Sequence, residues 1–491
     1  MNILMVAAEM SPLVKVGGLA DVTGALPAAL TQRGHAVRVV LPLYGHLDRN
    51  ALGLQPGTVP GPIPVRVGQR QLGVKFWNWP GAPTGVTVDL VECEPVFGEP
   101  GVYADDEGRG FSDSVERASL LAQAALILPE LLDWPVDVLH AHDVQAALVP
   151  VYRRRWYAGR GLPGPAGTLL TIHNLAHQEI HGAEWLTKAS LPEALADFPG
   201  PFEFFGYMNM LKGAIVESDL INTVSPTYAH EVVTDPVVGC GLEGVLATRG
   251  DDFNGILNGV DYGTWDPQVD PFLETHYGPD DLAGKARCRH QLLGDVGLED
   301  SGRPVLGMVG RLVPQKGLDL VTPILDRLVA GGFSLVVLGT GDKTIEADLA
   351  AAAKQHPGRV AFLAEFNESR AHAIYAGSDL FLMPSLFEPC GLSQLYALRY
   401  GTPPVVRSTG GLADTVVDIS EDQGTGFVFA DATSEALWGA LEEARQVFAE
   451  PKRWQALQQR AMACDFGWDL AAAGYESLYQ RLLNDAQNEE R

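Results

Sequence analysis

Cysteine is scarce in this chain, and positive charge is outnumbered. The five cysteines, Cys93, Cys240, Cys288, Cys390 and Cys464, never form a C-x-x-C pair. That pattern indicates neither a disulfide framework nor a thiolate metal site, and it fits a reducing cytoplasm. Against 61 acidic side chains stand only 35 basic ones, a formal charge of −26. Such a surface repels nucleic acid and anionic lipid, so neither is expected as a partner. No apolar run reaches the ~18–20 residues that a membrane-spanning helix needs. The apolar opening, Asn2 to Ala8, lacks a basic lead and runs on into a glycine-rich turn, so it reads as a buried strand and not as a signal segment. Low-complexity tracts and solenoid-length repeats are also missing.

What is present is a length of 491 residues with 46% hydrophobic content, too much for one core, since single cores stop growing near ~250–300 residues. Short apolar runs alternate with longer amphipathic stretches, the pattern of parallel sheets covered by helices on both faces. In the first half the spacing predicts strands over 3–8, 37–41, 86–91, 136–140, 168–172 and 220–224, and helices over 19–33, 115–132 and 203–217. The alternation restarts with strands over 305–309, 334–338, 360–363, 380–383 and 404–406, and helices over 317–328 and 391–400. The expected architecture is therefore α/β, with two Rossmann-like, doubly wound domains facing a central cleft. The first domain is placed over 1–253, a Gly- and Asn-rich linker over 254–266, and the second domain over 267–468. Residues 469–491 form a closing helical segment that could pack back on the first domain. Ligands of open α/β sheets bind outside the carboxyl ends of the strands, so the loops there carry the chemistry.

Four such loops stand out. Lys15-Val-Gly17-Gly18-Leu-Ala-Asp21 follows the first strand and opens a helix; its glycines let backbone approach a ligand and Lys15 adds positive charge, although an ordinary strand-to-helix turn reads much the same. His140-Ala-His142-Asp143 and His173-Asn174 end two further strands, where imidazoles and a carboxylate could bind a metal, relay protons or hydrogen-bond a polyhydroxylated ligand. The metal reading lacks a third ligand. In Gly310-Arg311-Leu-Val-Pro-Gln-Lys316-Gly317 two cations can reach one point, which suits a diphosphate better than a neutral ligand. In Ser385-Leu-Phe-Glu388-Pro-Cys390-Gly391-Leu392 a turn sets a carboxylate where it could grip sugar hydroxyls, and Thr409-Gly410-Gly411 adds a glycine turn at the same rim.

In this order and spacing the four loops resemble the bacterial glycogen synthase and plant starch synthase family. The similarity extends from Ile3 to about Tyr479 and includes Phe205-Gly-Tyr-Met-Asn-Met-Leu-Lys212, Val224-Ser-Pro-Thr-Tyr228 and Gly255-Ile-Leu-Asn-Gly-Val-Asp261. The resemblance implies a GT-B fold with a nucleotide-sugar-binding second domain and an acceptor-side first domain. It also implies transfer of glucose from ADP-glucose to the non-reducing end of an α-1,4-glucan, with retention of configuration and no cofactor. By the same resemblance the catalytic set is Arg311, Lys316, Glu388, His173 and Asp143. The substrate-binding set is Lys15, Gly17, Gly18, Asp21, Cys390, Gly391, Leu392, Tyr396, Thr409 and Gly410. Val144 and His177 stand where the family usually has Trp and Tyr, which touches the acceptor contacts. No Asp-x-Asp pair occurs in the chain, so the metal clamp of many nucleotide-sugar transferases has no candidate and no metal is expected. A related transferase using UDP-glucose or another acceptor, and a catalytically silent glucan-binding protein, are the alternatives.

Overall fold

Every one of the apolar runs named above becomes a parallel strand, and most of the segments between them cross the sheet faces as helices. The computed structural model describes residues 1–105, 108–157 and 167–489. It divides into two Rossmann-like units: the first comprises Met1–Val224, Ala229–Gly259 and Trp468–Arg491, and the second Ser225–Tyr228 and Val260–Gly467.

The first unit is built on a ten-stranded sheet. Its order is Phe253–Gly255, Leu220–Thr223, Gly167–Ile172, Val138–His142, Asn2–Val6, Ala36–Pro42, Val86–Glu92, Arg70–Asn78 and Gln55–Pro56, with Ile63–Val67 also pairing Arg70–Asn78. Pairing is parallel as far as Val86–Glu92 and antiparallel beyond it. The chain winds outward from Asn2–Val6 in one direction and then returns to its other side with Val138–His142, so the strand order reverses between these two. The second unit repeats the scheme with six parallel strands in the order Val360–Leu363, Ser334–Leu338, Val305–Val309, Leu380–Met383, Pro404–Arg407 and Phe427–Phe429. There the reversal falls between Val305–Val309 and Leu380–Met383. Successive side chains of a strand point to opposite faces, so Leu335 and Val337 enter one apolar core while Val336 and Leu338 enter another. Both faces are thus covered, which is why these strands read as unbroken apolar runs.

The last helix, Trp468–Glu489, packs on the first unit through a buried polar chain. The Tyr479 hydroxyl lies 2.8 Å from His140 Nδ1, His140 Nε2 lies 2.6 Å from Thr171 Oγ1, and Thr171 donates to Asn222 Oδ1 at 2.6 Å. Asn222 Nδ2 in turn donates to the Tyr475 hydroxyl at 3.3 Å. One set of proton positions satisfies every link if His140 is neutral, and burial does hold its imidazole far down, at about 3. Tyr479→Phe would leave His140 Nδ1 a bare buried acceptor. It should lower stability by about 1–2 kcal/mol, read as a shifted urea midpoint with unchanged slope.

Three sequence expectations are corrected here. The helix expected over 203–217 begins only at Met210, and residues before it form a hairpin of Glu203–Phe204 and Tyr207–Asn209. Asn209 stops the helix from extending backward, because its side chain caps the Lys212 N–H. The helix expected over 317–328 is broken into Leu318–Val321, a short 3₁₀ turn over Thr322–Ile324, and Leu325–Ala330. Pro323 lacks the amide proton an unbroken helix needs. The strand expected over 136–140 runs instead from Val138 to His142, which puts His142 within the sheet. The antiparallel strand Arg70–Asn78 was missed although Leu72, Val74 and Phe76 alternate with exposed residues. Among the described residues no helix is long and apolar enough to cross a membrane.

Candidate active site

In each unit the point where strand order reverses opens a crevice at the strand carboxyl ends, and the sequence-predicted loops lie there. In the second unit the Arg311–Gly317 loop leaves Val305–Val309 while the Ser385–Leu392 loop leaves the neighbouring Leu380–Met383. The two are locked together. Leu386 N–H donates to Gln315 O at 2.8 Å, and Gln315 Nε2 to Phe387 O at 3.1 Å. Gly317 has φ of +69°, and a β-carbon on it would lie 1.9 Å from Pro384 O, so no larger residue fits this turn. From the next strand, Arg407 donates to Ser385 O at 2.9 Å and also to Leu386 O. The Thr409–Gly411 turn closes in behind: Gly411 N–H donates to Glu388 O at 3.1 Å, and a β-carbon on Gly410 would lie 2.0 Å from that same oxygen.

This framework holds Lys316 and Glu388 in direct contact. Lys316 Nζ donates to Glu388 Oε2 at 2.7 Å, and Ser385 Oγ donates to the same oxygen at 3.0 Å. Glu388 is buried, whereas Lys316 is partly open to solvent. Arg311 is exposed two residues beyond Val309. Cys390 is buried, and its carbonyl accepts the Gln394 amide at 2.9 Å; Gly391 has φ of +72°, and Leu392 precedes the helix Ser393–Arg399. Thr409 is buried. The Tyr396 ring lies flat on Trp265 at 4.0 Å, and Trp265 stacks on His372 at 3.8 Å, so Tyr396 belongs to a buried aromatic pile under the loop.

In the first unit the strand ends bring together residues far apart in sequence. Asp143 has φ of 57° and ψ of −173°, a conformation that residues with a β-carbon avoid. Its carboxylate accepts the His173 N–H at 2.7 Å, and its own N–H donates to Thr171 O at 2.9 Å, which holds the strain in place. Burial raises the Asp143 carboxyl to about 7, against the opposing pull of the His173 and Asn174 amides. Burial also holds the His173 imidazole down at about 3 and His142 well below its ordinary value, so both are neutral.

His142 Nδ1 lies 3.1 Å from His173 Nε2, and His142 Nε2 is buried with no partner among the described residues. One ring must donate to the other. An orphaned buried N–H is rarer than an under-satisfied acceptor, so the favoured placement puts the His142 proton on Nδ1. His173 then accepts at Nε2 and carries its own proton on Nδ1.

Lys15 and Asp21 form an ion pair at 2.6 Å. Gly17 precedes the helix Gly18–Gln32, and a β-carbon on it would meet nothing within 4 Å among the described residues, so their packing does not explain the glycine. The sequence reading missed Glu9. This buried carboxylate accepts the Val16 and Gly17 amides at 2.5 and 2.8 Å and the Tyr103 hydroxyl. Those loop amides are therefore already engaged. Burial and the Glu9 charge push the Tyr103 phenol well above its ordinary value. The signal for Glu9 was a carboxylate three residues beyond a strand buried from Ile3 to Val6; Tyr103 sits in a loop that offers none. Among the described residues no group of three or more His, Cys, Asp or Glu side chains could hold a metal ion.

Paired doubly wound units whose reversal-point loops carry cations, a buried carboxylate and neutral imidazoles are the build of a GT-B glycosyltransferase. Residues 2–248 match the starch synthase catalytic domain, and residues 295–459 match the glycosyl transferases group 1 domain. Glycogen synthase from Anaeromyxobacter dehalogenans is 45% identical over 486 residues, covering 98% of this chain and 100% of that protein. Glycogen synthase from Alkalilimnicola ehrlichii is 44% identical over 497 residues, covering 98% of each. The catalytic domain of starch synthase IV from Arabidopsis thaliana, solved bound to ADP and acarbose, superposes with a TM-score of 0.90 at 34% identity, over 98% of this chain and 99% of that one. The chain belongs to the glycogen and starch synthase family.

Proposed function

We propose that the protein transfers glucose from ADP-glucose to the non-reducing end of an α-1,4-glucan, retaining the α configuration, as a glycogen synthase of the cytoplasm. The observation that carries this reading is the locked pair of loops that sets Lys316 on Glu388, with an exposed Arg311 in the same loop as the lysine. In this assignment Arg311 and Lys316 face the donor diphosphate and stabilise the charge that grows on it as the bond to glucose breaks. Glu388, held by Lys316 and Ser385, orients the ammonium and presents its remaining lone pairs to sugar hydroxyls. His173, with its proton on Nδ1, donates a hydrogen bond to a sugar oxygen and does not act as a base there. Asp143 shapes the same loop and offers a carboxyl poised between its two protonation states near neutral pH. Retention follows from front-face attack, the leaving phosphate taking the acceptor's proton.

The adenine nucleotide is favoured because the starch synthase IV relative was solved with ADP. Nucleic acid and membranes are not partners in this reading, since the formal charge of −26 opposes both. No metal or other cofactor takes part; ADP-glucose is a substrate. One assay tests the whole assignment: glycogen with either ADP-glucose or UDP-glucose, with and without EDTA, following nucleotide release and glucan extension. ADP-glucose should turn over faster, and EDTA should leave most of the rate. A preference for UDP-glucose would overturn the donor, a chelator block relieved by a divalent ion would overturn the metal-free chemistry, and glycogen binding without turnover would leave a silent binding protein.

A further inference from the structure

The hairpin of Glu203–Asn209 combines two features that folding alone disfavours. Glu203 pairs Met208 and Phe204 pairs Tyr207, so Phe205 and Gly206 form a two-residue turn, with φ of 50° and 86°. Positive φ at both positions is the mirror-image turn that matches strand twist, and its first position favours Asn, Asp or Gly. A bulky aromatic there is strained. Phe205 is nonetheless 79% exposed, and Tyr207 across the hairpin is 57% exposed. Neither strain nor exposure is repaid by burial.

The hairpin is also braced. Lys212 Nζ donates to Glu203 O, and Met210 N–H donates to Glu179 O at 3.1 Å. The Phe205 ring meets Phe204 edge to face at 4.9 Å. Buried Gln178 ties the base to the loop that follows His173: its oxygen accepts Asn209 Nδ2 at 2.6 Å, and its amide donates to Leu175 O at 3.1 Å and Cys240 O at 3.2 Å. The exposed rings are therefore carried at a fixed setting relative to the His173 loop of the same unit.

We infer that Phe205 and Tyr207 form a stacking platform for an α-1,4-glucan chain, a contact outside the loops already assigned to donor and chemistry. The inference rests on the glucan-acceptor reading above. A pyranose presents flat C–H faces, which pack on aromatic rings as other apolar surface does. The ligand class follows from family membership and from charge: a chain of formal charge −26 repels an anionic bilayer or a second copy of itself, whereas a neutral polymer meets no such barrier.

The test uses the full-length protein and the variants Phe205→Asn, which suits the turn, and Tyr207→Ser, with Leu470→Ser on an exposed helix position as control. Retardation in native gels containing glycogen, thermal midpoint and elution volume are measured alongside KM for glycogen and for ADP-glucose. Phe205→Asn should keep or raise the thermal midpoint, weaken glycogen retardation by about tenfold, as expected for losing one ring's apolar contact, and raise KM for glycogen but not for ADP-glucose. Tyr207→Ser should weaken retardation as well, and Leu470→Ser should not. Unchanged retardation in folded Phe205→Asn, no retardation of the parent protein, or a shift confined to elution volume would each overturn the platform. A parent retarded by glycogen that transfers no glucose would sink the transferase reading while leaving the platform in place.

Discussion

Lys316→Ala should lower kcat by about 10²–10³-fold, the loss seen when one preorganised charge stabiliser is removed from a transition state, with a smaller rise in KM for ADP-glucose. The charge on the diphosphate develops fully only as the bond to glucose breaks, so a residue that meets it acts on turnover more than on ground-state binding. The variant also strips the buried Glu388 carboxylate of its ammonium partner, leaving the Ser385 hydroxyl on that oxygen. Some loss of thermal stability is expected for that reason, and kcat must be compared at a temperature where both proteins are folded. Lys316→Arg should recover only part of the rate, because a planar fork cannot place one compact charge against both the carboxylate and a phosphate oxygen. A folded Lys316→Ala protein with near-parental kcat and only a raised KM would make the lysine a binding contact and nothing more.

Asp143→Asn should move activity and stability in opposite directions. Turnover is expected to drop by about 10²-fold, the lower range for losing a positioned acid–base or charge-stabilising group. Asn keeps an oxygen for the His173 amide and tolerates positive φ, so the loop should hold its shape. The stability change depends on pH. The folded carboxyl titrates at about 7 and its ordinary value is 3.8, so between these values the native state binds the proton that the unfolded chain has released. Native stability contributed by the protonated form is present below pH 3.8 and is lost as pH rises to about 7. Asn has no such titration. The thermal midpoint of Asp143→Asn should therefore match the parent near pH 4 and exceed it increasingly up to pH 7, with a plateau above. A difference independent of pH would remove the buried-carboxyl explanation, and turnover within twofold of the parent would restrict Asp143 to shaping the loop.

Much of this was legible in the sequence because the strands are buried on both faces. Runs such as Leu335-Val-Val-Leu338 need no alternation to be recognised, and the loops after them announce themselves through glycine and proline. The hairpin around Phe205 was not legible. Two-residue strands carry no period, and the residues that favour its turn in other proteins are missing at the position Phe205 takes. The break at Pro323 was written in the chain and was overridden by the helical spacing around it. Within the site, residue identities were readable but pairings were not: Lys316 and Glu388 are 72 positions apart, and only the reversal of strand order makes their loops neighbours. Glu9 escaped because two of its partners are backbone amides, which every sequence has, and the third, Tyr103, lies 94 positions away.

The first unit is discontinuous along the chain, since it is completed by the helix Trp468–Glu489 after the whole second unit has intervened. During synthesis, which proceeds from the amino end and lets domains fold as they emerge, residues 260–467 can close their own sheet as soon as they leave the ribosome. The earlier-made portion must wait. Until the final helix arrives, His140 lacks its Tyr479 donor and the Leu482 side chain that packs against Gly167 is missing. The amino-terminal unit is thus begun first and completed only after the second, and a chain that stops short of Trp468 leaves that unit with an uncovered face open to chaperones or to other chains.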